Sequence, residues 1–357
     1  MTLRPLVLIA TLTISQLLVL AAPPALAQGV AGPCTLTGYD PTIRPDPEGT
    51  PTDVRIGIYV VEIDRIDNVD QSFRIDFFVA LFWRDSRLAS AVLDAGRGQC
   101  RFPRRDVWEP QLVLFNRRDL SSQLPETITT DSEGNVRYVQ RLYGDLRSRF
   151  DLRDFPIDSQ ALPLSAVSIE YGPDALNVQL DETMPSRTEE FFIPGWHVDD
   201  ETHQVTVLET RAGDPSSPGD RFVRFDYTFH VSREVGYYIW RVIGPLTFIV
   251  FMSWAVFWIH PGMAGVQIAL AATSMLTLVA FLFSLNAILP PLSYLTRMDV
   301  FLFASLALVF LAFAEAVATA VLSASDRERL ASRFDRAARW IFPSLYLLIH
   351  LFTWRIY

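Results

Sequence analysis

The chain has 357 residues, of which 50% are hydrophobic, and a net charge of −9. Because charged residues dominate up to Val235 and long apolar runs follow it, the composition indicates two domains, the second of them in lipid. Residues 29–235 carry 35 acidic side chains against 22 arginines, a net charge of −13. This acidic balance argues against nucleic-acid binding. It either keeps the domain soluble or raises the local concentration of cations.

The first 27 residues have the three parts of a secretory signal peptide. Arg4 provides a basic start, residues 6–20 form an apolar stretch, and Ala25-Leu26-Ala27 is a small-residue cleavage site. The alternative is a retained N-terminal anchor. We expect cleavage and export, with residues 28–52 forming a leader ahead of the exported domain.

The only two cysteines, Cys34 and Cys100, both lie in the exported half. In an oxidising compartment two such thiols most often form a disulfide. This bridge would close a loop of about 65 residues and add a few kcal/mol of stability. The alternative is a pair of free, buried thiols.

Residues 53–235, which we call the exported domain, have a pattern typical of β-strands. Segments 55–63 and 73–83 are rich in β-branched and aromatic residues with polar residues interleaved. Further strands are predicted at 136–143, 160–171, 203–208 and 221–231. Many short strands without a long amphipathic helix predict an immunoglobulin-like β-sandwich.

Residues 236–357 contain four segments long enough to cross a bilayer as helices. They are Tyr237 to Ile259, Ala264 to Ala287, Val300 to Leu322 and Trp340 to Tyr357. With the first domain exported, the predicted loop at 323–339 lies in the cytoplasm and holds five arginines, whereas the outer loop at 289–299 holds one. This asymmetry follows the positive-inside rule and supports the same topology.

Several motifs follow one another along the mature chain. They are Trp83-Arg84-Asp85-Ser86-Arg87-Leu88, Trp108-Glu109-Pro110 with Asn116, Phe155-Pro156-Ile157-Asp158-Ser159-Gln160, and Arg233 ahead of Tyr237-Tyr238 and the run from Arg241 to Leu246. In order and spacing this set resembles the signature of the pentameric ligand-gated ion channels. Neither cysteine flanks the Phe-Pro-x-Asp turn and the predicted cytoplasmic loop is short, so the resemblance is to the bacterial branch of that family.

The resemblance implies a homopentamer around a central pore in the bacterial cytoplasmic membrane, with the exported domain in the periplasm. Its partners would be four identical subunits, the lipid bilayer, permeating inorganic ions, and a small-molecule agonist or protons. The alternative is a membrane-anchored sensor that binds ligand without conducting; the short cytoplasmic loop, which leaves no room for an output domain, argues against it. An enzyme is not expected, because the sequence has no nucleophile elbow, phosphate loop or zinc helix.

The resemblance also implies that the agonist binds between adjacent subunits, in a box of aromatic side chains whose faces attract a cationic amine. The candidate ligand-binding residues are Phe78, Phe115, Ile169, Glu170, Tyr171 and Phe222. Phe78 would come from the complementary face, and Phe115 and Phe222, the latter after a hairpin tip at 215–219, from the principal face. Ile169 stands where the family often has Trp, which argues against an amine ligand, although Glu170 supplies a charge. The alternative is that each phenylalanine packs in the core.

The second predicted span contains no charged residue, and Thr273, Thr277 and Ser284 share one face of its helix. This face either lines water or contacts neighbouring helices. Under the resemblance the pore-lining residues are Gln267, Ala269, Thr273, Leu276, Ala280 and Phe283. Rings of Leu276 and Phe283 would close a pore by dewetting.

In channels of this kind a ring of Asp or Glu selects cations and a ring of Arg or Lys selects anions. The second predicted span has neither, so it does not indicate which ions pass. Val266 stands where cation channels of the family usually carry Glu. The acidic exported domain favours cations, while anion or poorly selective conduction stays open. Proton gating is an alternative to a small-molecule agonist; since the span has no His, it would depend on exported carboxylates.

A third set of residues is expected where the two domains meet and binding is coupled to the gate. It consists of Asp67, Val69, Phe155, Pro156, Asp158, Arg233 and Pro290. An Arg233–Asp158 pair at a partly buried junction would be costly to break, so it would hold the domains in register while Val69 presses on Pro290. The alternative is an arginine that snorkels to the membrane edge.

The run from His197 to His203 mixes metal-ligand types without a rigid spacing motif. A solvated loop is the preferred interpretation. No cofactor is predicted, and a modulatory divalent cation remains open.

Overall fold

The computed structural model describes residues 33–45, 49–210, 220–285 and 292–354. The predicted signal peptide, the first residues of the leader, the hairpin tip at 215–219, the end of the second span and Pro290 lie outside the described residues.

The exported domain is built from eleven described strands. Their bounds are β1 Thr52–Asp67, β2 Ser72–Arg84, β3 Gln99–Pro103, β4 Leu112–Leu114, β5 Arg117–Ser122, β6 Thr127–Asp131, β7 Asn135–Arg147, β8 Ser159–Ser168, β9 Leu176–Leu180, β10 Trp196–Thr210 and β11 Asp220–Arg233. Every predicted strand overlaps an observed one, but the segment predicted at 160–171 overruns β8 by three residues. A short helix, α1 Ala89–Asp94, follows β2.

The strands form two sheets, ordered β3-β6-β7-β2-β1-β9, with β5 also paired to β7, and β10-β11-β8-β4. On β2 the alternate residues Phe73, Ile75 and Phe77 are fully buried, and they share one core with Phe225 and Phe229 of β11. This period of two is what a sheet with one buried face requires. The arrangement confirms the predicted β-sandwich.

The leader is tied to the sandwich by a disulfide between Cys34 and Cys100, whose Cα atoms lie 5.9 Å apart. A second contact comes from Tyr39, whose hydroxyl donates to Asp85 Oδ2 at 2.9 Å and accepts from the backbone N–H of Trp108 at 3.0 Å. The leader is therefore attached to β3 and to the Trp108 segment.

The second domain is helical. Its helices are α2 Gly236–Tyr238, α3 Gly244–Trp254, α4 Ala264–Leu285, α5 Arg297–Ala324 and α6 Glu328–Thr353. A π-helical turn at Ile239–Ile243 joins α2 to α3, so that Gly236–Trp258 is one continuous helical span. Among the described residues this span, Pro261–Leu285 and Arg297–Ala324 are long and apolar enough to cross a membrane.

The predicted cytoplasmic loop at 323–339 is wrong in its extent, because α6 already begins at Glu328. Only Ser325, Asp326 and Arg327 connect it to α5. The arginines that suggested a loop lie on a helix that buries Ala331, Asp335, Ala338, Phe342 and Tyr346, a spacing of three and four residues that defines one helix face. The charged half of α6 is therefore amphipathic helix rather than solvated loop.

Reduction of the Cys34–Cys100 disulfide is expected to lower the free energy of unfolding of the exported domain by about 4 kcal/mol, because the bridge lowers the conformational entropy of the unfolded chain. The two cysteines are 66 residues apart in sequence. Thermal unfolding of the purified protein with and without reductant measures the effect. A Cys34→Ser/Cys100→Ser double variant should unfold at the same temperature as the reduced protein. Its unfolding temperature should not change when reductant is added. Identical unfolding of the oxidised and reduced wild type would contradict this expectation.

Candidate functional site

An ion pair between Arg233 and Asp158 lies at the point where the exported domain joins the membrane domain. Arg233 Nε donates to Asp158 Oδ1 at 2.7 Å and Nη2 donates to Oδ2 at 2.9 Å. The two side chains are only 5% and 1% exposed. Arg233 is the last residue of β11, and its backbone N–H donates to Asp158 O at 3.1 Å. This is the two-point geometry that makes arginine–carboxylate pairs strong and directional.

The remaining surface of the Arg233 guanidinium is also occupied. Its Nη2 donates to Asn68 Oδ1 at 3.1 Å, in the turn between β1 and β2. The guanidinium carbon lies 4.1 Å from the ring centroid of Trp196 and 4.9 Å from that of Phe155. A single side chain thus connects a turn, a loop and two strands. This contradicts the alternative of an arginine that merely snorkels to the membrane edge.

The turn between β1 and β2 is held by Asp67. Its Oδ1 accepts from the backbone N–H groups of Val69 and Asp70, both at 3.0 Å. These bonds form an Asx-type turn, which fixes the backbone and directs Val69 outward. Val69 is exposed in the single chain, as a residue that presses on a neighbouring loop should be.

The loop before β8 contacts the start of α5 directly. The backbone N–H of Met298 donates to Phe155 O at 3.2 Å, and that of Arg297 donates to Arg153 O at 2.9 Å. Arg297 Nε also donates to Asp154 Oδ1 at 2.7 Å. Phe155, which is fully buried, therefore belongs to a loop bound on one side to Arg233 and on the other to a membrane helix.

Asp154 and Arg297 were not among the predicted coupling residues. The sequence signal that could have found them is their opposite charge, on two loops that the topology places on the same side of the membrane. Pro156 is buried beside Phe155. The predicted contact partner Pro290 lies outside the described residues.

The candidate ligand-binding residues divide between the two sheets. Phe78 lies on β2, its ring centroid 6.3 Å from that of Tyr59 and 5.5 Å from the guanidinium carbon of Arg141. Phe115 follows β4 and is exposed, with the guanidinium carbon of Arg224 on β11 6.0 Å from its ring. Phe78 and Phe115 therefore lie on different sheets of the sandwich.

Ile169 and Glu170 follow the end of β8 and are both exposed. Phe222 lies near the start of β11, in the same sheet as β8 and β4. Tyr171 differs from these residues, because its hydroxyl accepts from Trp108 Nε1 at 2.8 Å and its ring packs on that indole. The Tyr171 side chain is therefore held by Trp108, whereas Ile169 and Glu170 are exposed.

Helix α4 presents a continuous face to the outside of the single chain. Leu276 and Phe283 are each 72% exposed, and the predicted lining residues Ala269, Thr273 and Ala280 are exposed on the same face. The opposite face, with Ala271, Ser274 and Leu278, is buried against the rest of the domain. The hydroxyl of Thr273 donates to Ala269 O at 2.8 Å, so its methyl and oxygen both stay on the exposed face.

Gln267 is a correction to the predicted pore lining. Its side chain is 1% exposed, and Nε2 donates to Ile259 O at 2.9 Å and to Val256 O at 3.3 Å. These carbonyls belong to the end of the first span, where a helix leaves backbone acceptors unpaired. Val266, three residues before Ala269, is the residue that shares the exposed face.

These features define a ligand-gated ion channel subunit: a sandwich, with a buried ion pair at its junction with the membrane domain, and a bundle that presents one uncharged helix face. Residues 34–235 match the neurotransmitter-gated ion-channel ligand binding domain, and residues 242–329 match the neurotransmitter-gated ion-channel transmembrane region. The chain belongs to this family, the pentameric ligand-gated ion channels. Members of the family are not enzymes.

Among its relatives is a proton-gated ion channel of Gloeobacter violaceus, 26% identical over 317 residues that cover 88% of this chain and 86% of the relative. The gamma-aminobutyric acid receptor subunit beta-4 of Gallus gallus is 28% identical over 290 residues. The glycine receptor subunit beta of Rattus norvegicus is 27% identical over 296 residues. Each of these two matches covers 78% of this chain, which spans 57% of the length of either animal protein.

Substitution Arg233→Gln is expected to abolish gating while leaving assembly intact. Removing one partner of a buried ion pair leaves the other charge uncompensated, at a cost of about 3–5 kcal/mol. The measurement is whole-cell current divided by the number of channels at the surface. Arg105→Gln is the control, because the Arg105 side chain is largely exposed and its contact with Asp106 is 3.6 Å long. Wild-type current per channel from Arg233→Gln would refute the coupling role.

Proposed function

We propose that the protein is one subunit of a homopentameric ion channel in the bacterial cytoplasmic membrane, with its β-sandwich in the periplasm. The observation that supports conduction is the exposed face of α4. This face carries Thr273 and Thr277 beside apolar residues and no charge. Five copies gathered around an axis would turn it into the wall of a pore. Leu276 and Phe283 would form apolar rings in that pore, able to exclude water when the helices approach. A sensor that does not conduct ions would not require such an uncharged, exposed face on α4.

A small ligand at the subunit interface is the first candidate for the stimulus. Phe78 on one sheet, together with Phe115 and Phe222 on the other, would supply aromatic faces from two adjacent subunits. Glu170 adds a carboxylate on the principal face. This combination favours a small molecule with a cationic amine, since aromatic faces and a carboxylate both attract positive charge.

Protons are the second candidate, favoured by a cluster of carboxylates on β1 and β2. Glu62 lies opposite Asp76 in the pairing of these strands. The neighbouring Asp64 carboxylate is the main reason why the pKa of Glu62 is raised. Glu62 therefore takes up a proton at a higher pH than an isolated glutamate would. The relative from Gloeobacter violaceus is a proton-gated channel, which supports this candidate by similarity alone.

For selectivity we propose cation conduction. The exposed face of α4 has no charged residue, so five copies would form no charged ring in the pore. The electrostatic field that selects ions then has to come from other parts of the molecule. A net charge of −13 on residues 29–235 of each subunit concentrates cations at the outer mouth. A divalent cation bound to this acidic surface would modulate the current by screening it.

Cysteines introduced at Thr273 and Leu276 are expected to react with water-soluble thiol reagents applied to open channels, and this reaction should block the current. Leu278→Cys is the matched control, because Leu278 is fully buried on the opposite face of the same helix. Unreactive cysteines at both exposed positions in an assembled protein would refute a water-filled pore on this face.

The stimulus is identified by recording from bilayers while pH is stepped and a panel of small amines is applied. If protons open the channel, we expect Glu62→Gln to weaken the response to acid, because the substitution removes a carboxylate that titrates early. The matched control is Glu133→Gln, at a residue of the turn before β7.

Ion selectivity is measured by replacing sodium and chloride separately and recording the reversal potential. A reversal potential that follows chloride would overturn cation selectivity, and silence under every stimulus would overturn channel function.

A further inference from the structure

Two acidic side chains meet inside the helical domain, where α5 packs against α6. Glu315 of α5 and Asp335 of α6 are neighbours where these two helices pack, close enough to interact electrostatically. Asp335 is 2% exposed, and its Oδ1 and Glu315 Oε1 are buried atoms without a hydrogen-bond donor. The contact joins residues that are distant from the candidate ligand site and from the Arg233 junction.

The pair lies within the bundle. Glu315 is nine residues before the end of α5 at Ala324, which corresponds to about 13 Å along the helix axis. Asp335 is on the buried face of α6 together with Ala331 and Ala338. The site is therefore in the half of the helical domain that the predicted topology places towards the cytoplasm.

The charged or titratable groups that face this pair are Arg339 of α6 and His260 of the connection before α4. Arg339 is engaged elsewhere, because its Nε donates to Phe257 O at 2.8 Å and its guanidinium lies 5.6 Å from the Trp258 ring. His260 Nδ1 accepts from the backbone N–H of Gly262 at 3.1 Å. Among the described residues no Arg or His lies within 4.0 Å of either carboxyl group.

We propose that Glu315 and Asp335 form a proton-binding site that holds one proton between two carboxyl groups and clamps α5 to α6. Two negative charges this close, away from water and not ion-paired with the neighbouring Arg339, repel each other strongly. One shared proton removes a charge and supplies the donor that a hydrogen bond between carboxyl groups requires. Release is a simple dissociation: the proton goes to cytoplasmic water and leaves two carboxylates.

Proton release at this site acts on the pore-facing helix through α5. The repulsion between the two carboxylates would push α5 and α6 apart. Helix α5 also packs against α4, whose other face is exposed. A change in the distance between α5 and α6 would therefore change the position of α5 against α4. The site is distinct from the exported domain, so it would make the helical domain respond to cytoplasmic rather than to periplasmic pH.

A proton fits this site better than a metal ion. The site offers two carboxyl groups, whereas a divalent cation is usually bound by a larger set of oxygen ligands. No group of three or more His, Cys, Asp or Glu residues that could hold a metal is present in the described part of the chain.

The test is thermal unfolding of the full-length protein in lipid nanodiscs from acid to alkaline pH. The wild type is expected to lose about 3 °C or more of unfolding temperature as the shared proton leaves. Glu315→Gln keeps a donor to Asp335 without the second charge and should show no such loss over that range. Glu328→Gln, at an exposed position in the first turn of α6, is the matched control and should follow the wild type.

Infrared spectroscopy gives a second readout that does not depend on the stability of a variant. The wild type at neutral pH should show the C=O stretch of a protonated, buried carboxyl group, and Asp335→Asn should shift or remove it. Parallel pH profiles for wild type and Glu315→Gln, or a wild type without this band, would overturn the proposal. Stabilisation of the wild type but not of Glu315→Gln by calcium or magnesium at constant pH would also overturn it, in favour of a metal site.

Discussion

The buried ion pair between Arg233 and Asp158 is the constraint on which the relation between the two domains depends. Ions leave water only at a cost, and this cost is offset here by a two-point contact and by the aromatic rings of Trp196 and Phe155. Because Arg233 ends β11 and is followed at once by the first membrane span, any shift of that strand moves the guanidinium. The pair resists such a shift unless Asp158 moves with it, so we expect the junction to move as a unit.

Helix α5 connects the features described above. At its start it donates backbone hydrogen bonds to the loop that contains Phe155. Along its length it packs against α4, the candidate pore helix, and towards its end Glu315 meets Asp335 of α6. Under the two proposals above, ligand or protons at the exported domain and proton occupancy of the acid pair would both act on this helix. The two influences would add as free energies on one equilibrium between closed and open states.

Sequence patterns predicted the β-sandwich and the helical spans, but not every boundary or contact. The long strands β1, β2, β7 and β11 have enough alternation to be recognised, whereas β4, of three residues, has too little. The start of α6 was missed because its arginines were interpreted by charge rather than by helical spacing. Gln267 was assigned to the pore, although it lies two residues before Ala269 and so on another face, where it pairs with carbonyl groups of the first span.

The sequence by itself determined the change from a charged to an apolar part of the chain, three apolar spans and the ordered motifs that resemble those of the family. All of these depend on composition and on periods of two or 3.6 residues, which are local properties of the chain. Only the tertiary structure decided that Tyr171 binds Trp108, that Arg297 binds Asp154, and that Glu315 lies beside Asp335. Such contacts join residues far apart in sequence, and they depend on how separate elements pack, which no local period encodes.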